Sequence, residues 1–458
     1  MLKENKKIDK KGCDLLIFFG ASSNLFQTKI LPALYKIILE NLEKYKSNNI
    51  FILGTTNNNT KKEDIINVGK KNYELNKKLN DKKIDDNFLS IFSNNFYYIY
   101  LDFNDKNSWL DFKNKLIEIN NNIKNKFKIN NKIVYLSVFS KFYKIIIENL
   151  NNLDLLNKYL DKNTKFVFEK PFGWNYQSAI DIKKYILKYI NRNNIFNIDH
   201  YISKDIVNTL ISISNTNIFK YLWSSKYIEY IKIIMEEKED LNGRINSYND
   251  YGALLDVVQN HLLQLASIML IKLERKNIDL SKLKYNILKN IKPISGYLGQ
   301  YKEYQNYIKD SKTETFAFLE LELKNRRWNN TKIYIKTGKA LKEDKKEIII
   351  KFKNIENFKN NYLIIKLTYL SSYNLLINNS LNNIENEINL SFCYDCSYDI
   401  HTSYYNIIKN IIINNKDNTI TFNEIEAQWE IIDKIKNMNL PLYYYENGSE
   451  GPKIKIDF

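Results

Sequence analysis

Cysteine, proline, histidine and glycine are all scarce in this chain, whose 458 residues hold three Cys, five Pro, three His and twelve Gly. Three thiols, Cys13, Cys393 and Cys396, suit a reducing compartment. The stretch "CYDC" has the spacing of half a zinc or redox site. A four-ligand site would have to recruit Cys13 or a histidine, so no metal is expected. No apolar run reaches the roughly 18 residues of a membrane span. The N-terminus, "MLKENKKIDKKGCDLLIFFG", has too short an apolar stretch for a signal peptide. The expected location is cytoplasmic, with no membrane partner.

Charge of one sign is in excess. Lys and Arg total 69 against 52 acidic residues, a formal net charge of +17. That alone would suggest a polyanion partner. The lysines, however, are scattered along nearly the whole chain beside an excess of Asn, Ile and Tyr, the bias that an AT-rich coding sequence imposes. No nucleic-acid partner is expected, although the positive field would steer small anionic substrates. With 44% hydrophobic and 26% charged residues, the chain has a globular balance and length enough for two domains.

In the first 200 residues short apolar runs alternate with helical patterns. "DLLIFFG", "NIFILGT", "FYYIYLDF", "KIVYLSV" and "KFVFEKP" read as strands, and "KILPALYKIILENLEKY", "WLDFKNKLIEINNNI" and "YKIIIENLNNL" as helices. This predicts an α/β, Rossmann-type N-terminal domain over 1–198 with a parallel, doubly wound sheet. Later the rhythm changes. A long apolar helix, "ALLDVVQNHLLQLASIMLIKL", is followed by strand candidates in series, "FAFLELELK", "KIYIKTG", "EIIIKFK", "YLIIKLTYL" and "NEINLSF". Short connections between them predict an α+β domain over 199–458 with a large, mainly antiparallel sheet.

Chemistry concentrates near the predicted junction. "IFFGASSNLFQTKILPALY", Ile17 to Tyr35, reads as strand, tight turn and helix, the order that seats a dinucleotide pyrophosphate. It has one glycine where such turns usually have two or three. "FEKPFGW" and "NIDHYISKD" each follow a strand. In "YNDYGALLDVVQNHLLQ", Asp256, Gln259, Asn260 and His261 interrupt an otherwise apolar helix, and buried polar groups need partners.

At these residues the chain resembles glucose-6-phosphate dehydrogenases. The matching segments are "EKPFG" at Glu169–Gly173, "IDHYxxK" at Ile198–Lys204, "DxxQNHLLQ" at Asp256–Gln264, "LGQY" at Leu298–Tyr301 and "TGKAL" at Thr337–Leu341. They occur in the family's order and approximate spacing. The resemblance implies oxidation of glucose 6-phosphate at carbon 1 with hydride transfer to NADP, NAD being possible. His261 is implied as the base and Asp199 as its partner. His200, Tyr201 and Lys204 would bind the phosphate. Lys170, Glu237, Asp256 and Lys339 would bind sugar hydroxyls, Lys170 also lying near the nicotinamide. Gly20, Ala21, Ser22, Ser23, Asn24 and Leu25 would form the pyrophosphate turn, with Asn57 and Tyr143 as further cofactor contacts. A homodimer or homotetramer, assembled largely through the C-terminal sheet, is implied by the same analogy.

The chain also departs from the family. The turn reads G-A-S-S-N-L in place of G-A-S-G-D-L, so Ser23 and Asn24 predict a weaker cofactor seat, and restoring glycine at Ser23 should tighten binding. Near Asn57 the family commonly has an arginine for the NADP 2′-phosphate; Lys61 and Lys62 are candidate replacements. Phe139 and Ser140 stand where a Pro-Pro pair is expected. Leu255 replaces an arginine before Asp256, and Asp344 stands where some members have an arginine that helps bind the sugar phosphate. These losses leave a second reading open, that of a weak or silent relative that binds sugar phosphate without turnover.

Overall fold

A computed structural model describes residues 11–45, 49–76, 81–216, 219–273, 279–354, 360–368, 372–379, 386–393 and 402–454. Cys396 of the "CYDC" stretch lies outside them, while the buried thiol of Cys13 is pushed up to about 12 by burial and by Asp14.

The chain divides into two compact units. The first comprises Met1–Lys170, Asp181–Ile198 and Asp399–Thr419. Its strands are β1 (Lys11–Phe19), β2 (Ile50–Thr56), β3 (Phe96–Tyr100), β4 (Phe127–Leu136), β5 (Lys165–Phe168) and β6 (Ile195–Ile198). They pair in the order β6-β5-β4-β1-β2-β3, and every pairing is parallel. All seven residues of β2 and all four of β5 are buried, as helices on both faces of a parallel sheet require. The strand order reverses between β1 and β4, the switch point at which such sheets open a crevice beyond their carboxyl ends.

The segment Asp399–Thr419 lies within the range expected to form the second domain, yet it returns to the first unit. Its helix, Thr402–Ile412, buries Tyr404, Ile407, Ile408 and Ile411 in that unit's core. Lys165 Nζ then donates to the Ile411 and Ile412 carbonyls at 2.6 and 3.0 Å, supplying a cation where the helix ends.

The second unit comprises Pro171–Ile180, Asp199–Tyr398 and Ile420–Phe458. It is built on β7 (Ile228–Glu236), β8 (Ile291–Tyr301), β9 (Phe316–Leu323), β10 (Lys332–Gly338), β11 (Lys345–Phe352), β12 (Tyr362–Lys366), β13 (Ser372–Asn379) and β14 (Asn386–Cys393). Two short strands, β15 (Thr419–Ile420) and β16 (Leu442–Tyr445), edge the first and second sheets respectively. The second sheet runs β14-β13-β12-β11-β7-β10-β9-β8-β16, antiparallel except at β7–β10 and β8–β16. No helix among the described residues is long and apolar enough to cross a membrane.

Candidate active site

Asp199 is the first residue after β6 and is fully buried. Its Oδ1 accepts from the Tyr201 N–H at 2.8 Å and from His261 Nδ1 at 2.6 Å. Burial works against its charge, but His261, His200 and the Tyr201 N–H outweigh it and hold the carboxyl down at about 2. An ionised carboxylate only accepts hydrogen bonds. His261 Nδ1 therefore carries the proton, and Nε2 keeps its lone pair.

His261 stands on Leu254–Leu262, which is wound as a π-helix and continues as an α-helix over Leu263–Met269. Glu314 anchors its start: the Glu314 carbonyl accepts from the Ala253 N–H at 2.9 Å, and Oε1 from the Leu254 N–H at 3.0 Å. In an α-helix Asp256 and His261, five residues apart, would diverge by about 140°. A π turn bonds residue i to i+5 instead and brings them to one side.

Around the base the aromatic rings are close. His200 and Tyr201 lie 4.7 and 4.5 Å from the His261 ring, centroid to centroid. Lys204 Nζ sits 4.6 Å from the Tyr201 ring centroid and donates to the Leu367 carbonyl at 2.7 Å. This puts two imidazoles, a phenol and an ammonium within one cluster, a set of donors for an anion. Asp199, His200 and His261 also offer ligand atoms within 4.8 Å of one another, but Asp199 Oδ1 and His261 Nδ1 already bond each other.

A second cluster centres on Lys339, whose Nζ is 2.8 Å from Glu237 and 3.3 Å from Asp256. Burial disfavours the lysine's charge, yet Asp256 and Glu237 together raise its pKa above the ordinary range. The two carboxylates remain about a third exposed, at 29% and 31%. They offer acceptors to hydroxyl groups while the lysine holds them apart. Ala340 beside it has φ +53 and is fully buried, a backbone state that costs about 1–2 kcal/mol and turns the chain directly after Lys339, the first residue past β10.

In the first unit, Gly20 has φ +88, and a Cβ there would lie 2.6 Å from the Ser137 carbonyl oxygen. Only glycine fits this turn. The Gly20 and Ala21 N–H groups donate to Thr55, and Ser23 N–H donates back to the Gly20 carbonyl. The N–H groups of Ser22, Asn24 and Leu25 make no hydrogen bond among the described residues. A helix start with free N–H groups at the sheet's switch point fits a dinucleotide pyrophosphate.

Profiles for the glucose-6-phosphate dehydrogenase NAD binding domain and C-terminal domain match residues 17–209 and 210–458. The chain belongs to the glucose-6-phosphate dehydrogenase family. It is an oxidoreductase with a nicotinamide-dinucleotide-binding domain. Relatives named glucose-6-phosphate 1-dehydrogenase include those of Buchnera aphidicola, 29% identical over 97% of this chain and 95% of theirs, and of Borreliella burgdorferi, 28% identical over 96% and 95%. Among solved structures, a glucose-6-phosphate dehydrogenase in complex with its substrate glucose-6-phosphate superposes with a TM-score of 0.83, at 23% identity over 97% of this chain and 96% of that one. The Mycobacterium avium enzyme gives 0.77 at 22% identity over 96% of both chains.

Against the family pattern, the odd turn residue has a structural use. Ser23 is not among the residues with positive φ. Its Oγ accepts from the Phe26 N–H at 3.2 Å, as an N-cap does, and shares a hydrogen bond with Ser137 Oγ at 3.1 Å. The part of the expected penalty that rested on left-handed backbone does not arise. Ser23→Gly is accordingly expected to leave cofactor affinity unchanged or up to about tenfold weaker. Titration of the dinucleotide by fluorescence checks this, and tighter binding would contradict it.

Other expected contacts are variously engaged. Asn57 is exposed at the end of β2. Lys62 Nζ donates to the Ser93 carbonyl at 2.7 Å, and burial lowers its pKa, so the exposed Lys61 is the better candidate for a 2′-phosphate. Tyr143 is buried, and its hydroxyl donates to the Glu169 carbonyl at 2.8 Å. Lys170 is half-buried and is the second residue after β5. Leu255 is buried in the helix core, and Asp344 accepts from the Lys238 N–H at 3.1 Å. Sequence reasoning missed Glu314, because a carboxylate in the polar stretch before β9 looks like a solvated loop residue.

Proposed function

We propose that this protein oxidises D-glucose 6-phosphate at carbon 1 to 6-phospho-D-glucono-1,5-lactone, with NADP as hydride acceptor. The observation that carries this reading is the 2.6 Å bond between His261 Nδ1 and the buried, ionised Asp199. His261 Nε2 takes the proton of the 1-hydroxyl as the carbon–hydrogen bond breaks, and Asp199 stabilises the resulting imidazolium. The nicotinamide, when bound, supplies the hydride acceptor. Later the imidazolium releases its proton to solvent.

Lys204, His200 and Tyr201 hold the substrate's phosphate; Glu237, Asp256, Lys339 and Lys170 hold its hydroxyls. The N–H groups following Gly20 receive the pyrophosphate, and Lys61 meets the 2′-phosphate near Asn57. The absence of an acidic residue in "GTTNNNTKK" favours NADP over NAD, with modest selectivity because a lysine is a point charge rather than a fork.

The test is the growth of reduced-nicotinamide absorbance when pure protein meets glucose 6-phosphate, with NADP and NAD supplied separately. Turnover higher with NADP is expected. Binding of the sugar phosphate without turnover would favour the silent relative instead.

Lys204→Ala should raise KM for glucose 6-phosphate by about 10–100-fold, the worth of one charge-assisted contact, with kcat much less affected. An unchanged KM in steady-state kinetics would remove Lys204 from the phosphate site.

A homodimer, or a pair of them, is proposed through the second sheet. The reading rests on the analogy with the family; the aromatic ladder of Tyr297, Phe318, Tyr334 and Tyr230 across four strands belongs to the unit's own core, with Phe318 and Tyr334 each 4% exposed. Sedimentation at the chain mass alone, at micromolar concentration, would refute the assembly.

A further inference from the structure

The helix that carries His261 is not uniform, and the residue before the base explains why. Asn260 is buried. Its Nδ2 donates to the Leu255 carbonyl, five residues back, at 3.0 Å, and its Oδ1 accepts from the His261 N–H at 2.8 Å. Its own carbonyl accepts from Gln428 Nε2 at 3.2 Å. One side-chain amide thus spans the wider turn of Leu254–Leu262, adding a hydrogen bond to the Leu255 carbonyl at one end and to the N–H of the base at the other.

π-Winding is less stable than α-winding and occurs in short stretches, frequently at functional sites. Here it brings Asp256 and His261 to the same side of the helix. Its two ends are tied to separate elements: Glu314 holds the start, and Gln428, on the helix Phe422–Asn437, holds the Asn260 carbonyl. The amide of Asn260 bridges the widened turn between these anchors. A hydrophobic residue there would remove the side-chain bonds that the Leu255 carbonyl and the His261 N–H make beside their π-helical i to i−5 backbone bonds, and with them the preference for π-winding over the ordinary i to i−4 pattern. Rewinding to that pattern would rotate His261 away from Asp256 and strain its bond to Asp199.

We infer that Asn260 is a positioning residue for the oxidation, acting through His261 by keeping the helix π-wound at the base. The inference rests on the reading of His261 as the base. Gln428 is the outer support of the same arrangement.

The test compares Asn260→Ala and Asn260→Asp with His261→Asn as a control, in the full-length protein with glucose 6-phosphate and NADP. A misplacement of the base on the order of 1 Å can cost about 10²-fold. Asn260→Ala is therefore expected to lower kcat by about 10–100-fold, to change KM by less than about fivefold, and to displace the acid limb of the kcat/KM profile. Asn260→Asp keeps an acceptor for the His261 N–H but loses the donor to Leu255, and should recover part of the lost kcat. A folded Asn260→Ala protein with kcat within twofold of the parent would overturn the inference, as would an equal loss in both variants. If the alanine variant does not fold, a parental kcat in Asn260→Asp overturns the inference, and a kcat lowered about 3–10-fold at constant KM supports it. A His261→Asn protein that keeps its turnover would instead bring down the reading of the base itself.

Discussion

Replacing His261 with asparagine is expected to cut kcat by about 10²–10⁴-fold, the usual share of a general base, while folding and substrate affinity survive. Asparagine retains a side-chain amide that can still donate to Asp199 Oδ1, where His261 Nδ1 now donates at 2.6 Å. The buried carboxylate is therefore not abandoned, and the large penalty for an unpaired internal charge is avoided. What disappears is Nε2, the atom with the lone pair. The phosphate donors His200, Tyr201 and Lys204 are untouched, so equilibrium binding of glucose 6-phosphate, measured by calorimetry, should change by less than about tenfold. Near-parental turnover would mean that another group takes the proton.

Much of this arrangement was legible because its chemistry is local in sequence. Strand, turn and helix around Gly20 follow from periodicity, and the position of Asp199 directly after β6 follows from the apolar run that ends at Ile198. The parallel and antiparallel sheets were likewise readable from whether helices separate the strands. Harder to read was whatever depends on a long return of the chain. Nothing in "YYNIIKNIII" says that Thr402–Ile412 closes the first unit; its partner Lys165 lies some 246 residues away. The helix Phe422–Asn437 starts in a capping box of Thr421 and Glu424, and its contact with Asn260 through Gln428 has no local signal in the sequence. The winding of Leu254–Leu262 was also invisible, because nine residues make only about two turns, too few for the apolar spacing to single out π from α winding. The composition of Ser23 was legible and its consequence was not: a glycine missing from a pattern looks like a loss until the hydroxyl is seen to cap a helix.

Asp199→Asn should be nearly as damaging as loss of the base, for a different reason. The amide can present its nitrogen to His261 Nδ1 and turn that atom into an acceptor, which moves the imidazole proton to Nε2 and disables the base. The comparable change in the serine-protease triad costs about 10⁴-fold, and a fall in kcat of about 10³–10⁴-fold is expected here. pH separates this from simple misfolding. The carboxyl of Asp199 is held at about 2, below its ordinary value of 3.8, so it is ionised wherever the enzyme would work, and the acid limb of kcat/KM belongs to the imidazole. Removing the carboxylate destabilises the imidazolium and should move that limb to lower pH. For stability the sign follows from the depressed carboxyl: its contribution is present in full above about pH 4 and is lost as pH falls through about 2. The difference in unfolding free energy between parent and variant, measured in urea, should shrink as pH falls below about 4. An unmoved acid limb together with a pH-independent difference would separate Asp199 from His261 in both roles.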